Sequence, residues 1–320
     1  MHAIVAREAG GPDVLTLAQV ERPVPGPGQL LVKVAAVGVN FIDTYKRSGS
    51  YKVGYPFTPG SEASGTVEEL GDGVTGFSPG DRVATAEGVN CYAGYALIDQ
   101  DKALPVPHGV DDFTAAALPL QGITAHYLIN SSFKVEPGHT VLLHAGAGGV
   151  GLLLIQLLKA RGARVITTVS TDDKELLARE AGADHVLRYD GFAARVRELT
   201  DGAGADVVYD GVGKDTFDGS LDALRIRGTL VLFGAASGPV PPFDPQRLNA
   251  GGSLYLTRPT IAHFLRNAQE RRWRSDELFA AVADGSLKVR IGARYDLAEA
   301  AQAHDDLEQR RTTGKVILVP

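Results

Sequence analysis

The chain has 320 residues, 44% hydrophobic and 22% charged, with a formal net charge of -6. Its length allows two domains with sizeable cores, while the acidic balance disfavours duplex nucleic acid and anionic membrane surfaces as partners. Cys91 is the only cysteine, which excludes an intrachain disulfide, denies a Cys-based zinc site its ligands and suits a reducing cytoplasm.

Arg7 and Glu8 precede any apolar stretch of useful length, a start unlike a secretory signal. Up to roughly residue 120 the chain reads as β-rich, because Gly and Pro break runs such as Gln29–Val39 and Ser64–Glu69 at short intervals; the spacing suggests a barrel-like unit. The Pro- and Gly-rich stretches 23–28 and 78–80 read as turns.

From Gly122 onwards strands alternate with helices. Strands are expected at Thr140–His144, Arg164–Val169, His185–Leu187, Asp206–Tyr209 and Thr229–Phe233, with a sixth at Ser253–Thr257. Helices are expected at Gly149–Arg161, Asp172–Ala181, Phe192–Thr200 and Thr216–Arg225, with Gly162, Gly182 and Gly228 as stops. Such alternation predicts a doubly wound parallel sheet of the Rossmann kind. No transmembrane segment is expected, because Gly, His144 and Gln156 interrupt the long apolar run 141–158.

Between the first strand and its helix stands Gly146-Ala147-Gly148-Gly149-Val150-Gly151, which fits Gly-x-Gly-x-x-Gly. In that pattern the first Gly permits the turn, the second lets backbone approach a pyrophosphate, and the third packs helix on strand; the helix N-terminus then faces the anion. An NAD site places a carboxylate about 20 residues further on, for the ribose hydroxyl. Here the second strand ends in Ser170 and Thr171, followed by Lys174, a set that suits a 2′-phosphate and so NADPH. Asp172 and Asp173 argue against it, and Thr171 or Asp172 would also serve as a helix cap, with Lys174 solvated.

Beyond residue 260 helix is expected at Asp276–Ala283 and Leu297–Leu307, and extended chain at Lys288–Ile291 and Lys315–Val319. These complete the first unit, giving boundaries of 1–121 with 263–320 for one domain and 122–262 for the inserted dinucleotide domain. The substrate is expected in the cleft between them. The basic run Arg271-Arg272-Trp273-Arg274 reads as a solvated helix end, with RNA contact as the alternative. His144, beside the glycine turn, reads as a packed neutral histidine. The sequence has no His-x-x-x-His pair and no Gly-x-Ser-x-Gly elbow.

Taken together, Gly60-Ser61-Glu62-Ala63-Ser64-Gly65, Gly80-Asp81-Arg82-Val83, Ala145–Gly151 and Tyr209-Asp210-Gly211-Val212-Gly213 resemble the medium-chain dehydrogenase/reductase superfamily. The runs Val39–Tyr45 and Ser253–Pro259 are similar to those of its zinc-independent quinone oxidoreductases related to ζ-crystallin. The resemblance covers essentially the whole chain and implies a Rossmann sheet inserted in a β-rich, GroES-like, partly open barrel domain. It sets Asn40 where zinc alcohol dehydrogenases have a catalytic Cys and Ser61 where they have a His, so no metal is expected. Without that Lewis acid, a quinone is the easier hydride acceptor, since positioning and hydrogen bonds to its oxygens suffice.

The resemblance further implies that Asn40 contacts the nicotinamide ribose or amide, that Tyr45 faces the substrate and that Thr124 lies near the nicotinamide. Against these stand an Asn40 amide that only holds a turn, a Tyr45 ring that only packs and a Thr124 that only starts a helix. Lys174 and Tyr189 are carried to the adenosine 2′-phosphate and ribose, and Phe233, Gly234 and Ser237 to the nicotinamide half; Phe233 would equally serve as core. Arg310, Arg311 and Lys315 compete for a basic place by the cofactor. The reading is therefore an NADPH-dependent quinone reductase, cytoplasmic and homodimeric through the edge near Ser253–Thr257. Two alternatives remain: reduction of α,β-unsaturated ketones or enoyl thioesters, with Tyr45 as proton donor, and an NADPH-binding structural or RNA-binding protein.

Overall fold

The computed structural model describes all 320 residues and divides into two compact units, Met1–Ile123 with Arg266–Pro320 and Thr124–Leu265. No helix is long and apolar enough to cross a membrane.

In the first unit the long strand Gln29–Val39 organises a seven-stranded sheet. Leu30, Leu31, Val32, Val37 and Val39, which point to both of its faces, are buried. Glu62–Leu70 pairs antiparallel along one edge. The other edge is shared, with Tyr95–Asp99 on residues 29–33 and Lys315–Val319 on residues 37–39. Beyond these lie Arg82–Thr85 with Leu104–Pro105 on one side and Ile291–Asp296 on the other; the sheet curves without closing. A core of Ile4, Val34, Val37, Tyr92, Ala300 and Leu318 ties in the hairpin His2–Val5 with Thr16–Gln19 and the C-terminal helix Ala300–Glu308.

The second unit is a six-stranded, all-parallel sheet ordered His185–Leu187, Arg164–Thr168, Thr140–Leu143, Ala205–Asp210, Leu224–Leu232, Tyr255–Thr257. Numbered along the chain this is 3-2-1-4-5-6, the doubly wound order whose switch point lies beside the first strand. Its central strands are apolar on both faces, with Val141, Leu142, Leu143, Val207 and Val208 sealed by covering helices such as Gly149–Ala160 and Phe192–Leu199.

Several expectations are corrected. Gly228 stops no helix: that helix is Phe217–Asp222, and Gly228 lies inside Leu224–Leu232, where the register shifts against Ala205–Asp210 and a Cβ would crowd Arg225 and Ala205 carbonyls. The strand expected at Lys288–Ile291 comes later, at Ile291–Asp296, where it pairs with Lys315–Val319. The run Arg271–Arg274 is no solvated helix end. Helix Ala268–Ala283 buries Arg271 against Glu87 and Arg274 against Glu270, leaving Arg272 and Trp273 outside.

Candidate active site

The glycine turn leaves the first parallel strand and opens helix Gly149–Ala160, whose leading N–H groups point out from its N-terminus. The turn residue is Ala145, at φ 57°, rather than Gly146. Gly146 is glycine for space, since a Cβ there would sit 2.3 Å from Thr167 Oγ1 on the neighbouring strand. At Gly151 a Cβ would meet the Ala145 carbonyl at 2.3 Å, so helix and turn touch only because it is absent. Gly148 is different: its Cβ would clear everything but that carbonyl, at 3.2 Å, so its open side suits close approach of a phosphate. Ala147 is buried behind the turn, while Gly149 and Val150 are part-exposed on it.

At the end of the second strand Thr171 caps helix Asp172–Glu180 by accepting from Lys174 N at 3.4 Å, and Lys174 Nζ reaches Ser170 Oγ at 3.5 Å. Capping by Thr171 therefore leaves the Lys174 ammonium beside the Ser170 hydroxyl. Of the two opposing carboxylates Asp172 is engaged, by Arg188, which also pairs with Glu175 at 2.9 Å. Tyr189 lies 6.1 Å from the His144 ring, stacked at 23°. His144 itself is held by Thr168 at Nδ1 (2.8 Å) and Ser220 at Nε2 (3.0 Å). Ser220 donates onward to Asp210, so Nε2 carries the hydrogen, and burial lowers the imidazole to about 4. This is the packed neutral histidine expected.

After the fifth strand, Phe233 N donates to Asp210 O and the Phe233 ring lies over Gly211, where a Cβ would meet it at 2.8 Å. Gly234 passes over the Gly211 backbone, and Ser237 Oγ fastens this loop to Val212 O at 2.8 Å. Thr124 is buried within helix Pro119–Tyr127, so it is not a helix-start residue.

The first unit gathers a second cluster around Asn40, at the end of the long strand. Pairing sets Glu62 opposite Gly38 and Val316 opposite Val39, which brings Glu62 and Lys315 to either side of Asn40. Asn40 Nδ2 donates to Glu62 Oε2 at 2.8 Å, its Oδ1 accepts from Lys315 Nζ at 2.7 Å, and Lys315 also pairs with Glu62. Glu62 Oε1 accepts from Leu120 N at 2.7 Å. All three side chains are buried, and the room for them comes from Gly38, whose Cβ would lie 2.3 Å from Glu62 Oε2. Of the three basic candidates Lys315 joins this cluster, while Arg311 pairs with Asp305 and Asp306 at the surface.

Below it, Asn40 N donates to Asp43 Oδ2 at 3.0 Å, and Tyr92 OH lies 3.4 Å from the same oxygen. Tyr92 meets His304 Nε2 at 2.9 Å, and His304 Nδ1 meets Arg47 at 3.3 Å. Arg47 can only donate, so Nδ1 accepts, Nε2–H donates to Tyr92 and Tyr92 donates to Asp43. Burial pushes Asp43 up to about 6, against the pull of Lys46, and lowers His304 to about 3. Asp43 Oδ1 has no partner. Tyr45, half-buried on helix Phe41–Arg47, lies 5.4 Å from the Tyr51 ring and 6.3 Å from Phe41. No three His, Cys, Asp or Glu side chains are grouped to hold a metal.

Residues 26–135 match the alcohol dehydrogenase GroES-like domain, and residues 149–281 match the zinc-binding dehydrogenase family. A quinone oxidoreductase of Pseudomonas aeruginosa is 45% identical over 97% of this chain and 97% of its own. A solved mycobacterial protein complexed with NADPH is 54% identical over the full length of both chains, with a TM-score of 0.98. The chain belongs to the quinone oxidoreductases of the medium-chain dehydrogenase/reductase superfamily. A 2-haloacrylate reductase of Burkholderia is similar too, 42% identical over 99% of this chain and 98% of its own.

For this quinone oxidoreductase family member, sequence reasoning did not single out Asp43, Glu62, Lys46 or Tyr92. The available signal was the carboxylate of Glu62 leading the small residues Ala63, Ser64 and Gly65 into a strand, where burial demands a partner for it.

Proposed function

We propose that the protein is an NADPH-dependent reductase of small quinones. NADPH, held by Gly146–Gly151 with Ser170, Thr171, Lys174 and Tyr189, supplies the hydride, and Phe233, Gly234, Ser237 and Thr124 serve its nicotinamide half. The fit rests on the open side of Gly148 and on Lys174 beside Ser170, with Asp172 and Glu175 already neutralised by Arg188. Asn40 is held by Lys315 and Glu62, and that fixed amide is its contribution to orienting the reactants. Tyr45, with the Phe41 and Tyr51 rings tilted at 36° and 48° to its own, offers an aromatic wall for a planar substrate.

The observation that carries the reading is family membership, supported by a glycine turn left open at Gly148. Purified protein treated with a chelator should oxidise NADPH when given 1,4-benzoquinone; no oxidation above background overturns the proposal. The similarity to a 2-haloacrylate reductase favours conjugated alkenes as a second substrate class, which turnover of 2-chloroacrylate or a 2-enoyl thioester against that of quinones decides. Burial of Arg271 and Arg274 in ion pairs weighs against the RNA-binding alternative, leaving only Arg272 and Trp273 of that run exposed.

We also assign the protein to the cytoplasm and to a homodimer joined at edge strand Tyr255–Thr257, where Tyr255 and the neighbouring Ile226 are 62% and 70% exposed. A monomeric mass by sedimentation would overturn the dimer.

A further inference from the structure

Every buried cation of the first unit has a carboxylate: Arg47 pairs with Glu308, Lys315 with Glu62, Arg271 with Glu87 and Arg274 with Glu270. Lys46 does not. It is half-buried on helix Phe41–Arg47, next in sequence to Tyr45, and its Nζ makes a single hydrogen bond, 3.1 Å to the neutral hydroxyl of Ser61, with no ion pair. An ammonium has three donors, so two stay uncommitted. Its charge is nevertheless felt locally, because it pulls down the carboxyl of Asp43. Beyond that through-space interaction no carboxylate is in ion-pair contact with Nζ, and a partly desolvated cation gains from an anion that a ligand supplies. Ser61 directly precedes Glu62, so this ammonium is anchored beside the Asn40–Glu62–Lys315 cluster.

We propose that Lys46 is a catalytic residue that holds the oxygen on which negative charge develops. The proposal rests on the reductase reading above. Reduction of a quinone by the two electrons and one hydrogen of a hydride leaves a phenolate oxygen. Lys46 donates a hydrogen bond to that oxygen and keeps its own proton, while water supplies the proton that completes the hydroquinone. Ser61 acts as its positioning residue, holding Nζ so that no reorganisation is needed as the charge appears.

The test separates this role from packing and from the reductase reading itself. Wild-type protein, Lys46→Met, which keeps an apolar stem of similar length, and Lys46→Arg are titrated with 4-nitrophenol near the pH of its half-ionisation, with and without NADP+. Absorbance reports the bound phenolate. We expect wild type to bind the phenolate form, Lys46→Met to lose affinity for it about tenfold or more, and Lys46→Arg to restore most of it. In parallel, kcat for 1,4-benzoquinone should fall about tenfold to a hundredfold in Lys46→Met, with KM for NADPH unchanged. Equal phenolate affinity in wild type and Lys46→Met, with matching near-UV circular dichroism, overturns the assignment. Lys46-dependent phenolate binding without quinone turnover by wild type would support the anion site and overturn the quinone reading instead.

Discussion

Lys315, five residues from the end of the chain, donates to Asn40 at 2.7 Å across a sequence separation of 275, and both side chains close on Glu62. Lys315 and Glu62 are 1% and 0% exposed at their side chains, so neither charge has water to fall back on. Removing one partner leaves an uncompensated buried charge. Lys315→Met is therefore expected to cost about 3–5 kcal/mol of stability, whereas the double variant Lys315→Met/Glu62→Leu should lose clearly less than the sum of the singles. Chemical denaturation of all three variants checks this.

The same cluster constrains Gly38. A methyl group there would lie 2.3 Å from Glu62 Oε2 and 2.7 Å from Ala116 O, one of them backbone that cannot swing away. Gly38→Ala should destabilise by about 1–3 kcal/mol, read as a fall in Tm, and weaken substrate turnover by displacing Glu62 from Asn40.

Asp43 and His304, joined through Tyr92, should tilt stability with pH in opposite senses. Burial raises Asp43 from 3.8 to about 6, so the folded state binds the proton more tightly, and stability falls as pH rises from roughly 4 to 6. Burial lowers His304 from 6.5 to about 3, so the unfolded state binds its proton more tightly, and stability falls as pH drops through that range. Asp43→Asn should gain up to about 3 kcal/mol relative to wild type above pH 6 and little at pH 4. His304→Gln, which can still accept from Arg47 and donate to Tyr92, should flatten the acid limb. Thermal melts between pH 4 and 8 provide both curves.

The glycines of the turn should separate folding from binding. Gly151→Ala drives a Cβ to 2.3 Å from a backbone carbonyl and should lower Tm by several degrees. Gly148→Ala meets that carbonyl only at 3.2 Å, so it should melt close to wild type yet bind NADPH at least tenfold more weakly, measured by quenching of the Trp273 fluorescence or by calorimetry.

Lys174 should set cofactor preference. Lys174→Ala is expected to raise KM for NADPH about tenfold to a hundredfold and to leave KM for NADH within about twofold, because only the 2′-phosphate needs the cation. The NADPH effect should shrink at high salt, since Lys174 is partly exposed. Steady-state kinetics with both cofactors settle it.

The alternation of apolar strands with amphipathic helices after Gly122, and the glycines between the first pair, sufficed to read a parallel dinucleotide-type sheet from the sequence alone. These are local signals: strand apolarity, helix caps and Gly stops act within a few residues of where they stand. Even there local reading failed at Gly228, which looks like a helix stop and serves a register shift instead. The run Arg271–Arg274 failed for the converse reason, because Glu87, which buries Arg271, lies 184 residues away. What surrounds Asn40 was decided only by tertiary structure. Strand register set Glu62 opposite Gly38 and Val316, next to Lys315, opposite Val39, and buried charges must then find each other whatever their distance along the chain. The sequence determines which side chains are available to pair, and the sheet decides which of them are left, like Lys46, on a neutral hydroxyl with no carboxylate in ion-pair contact.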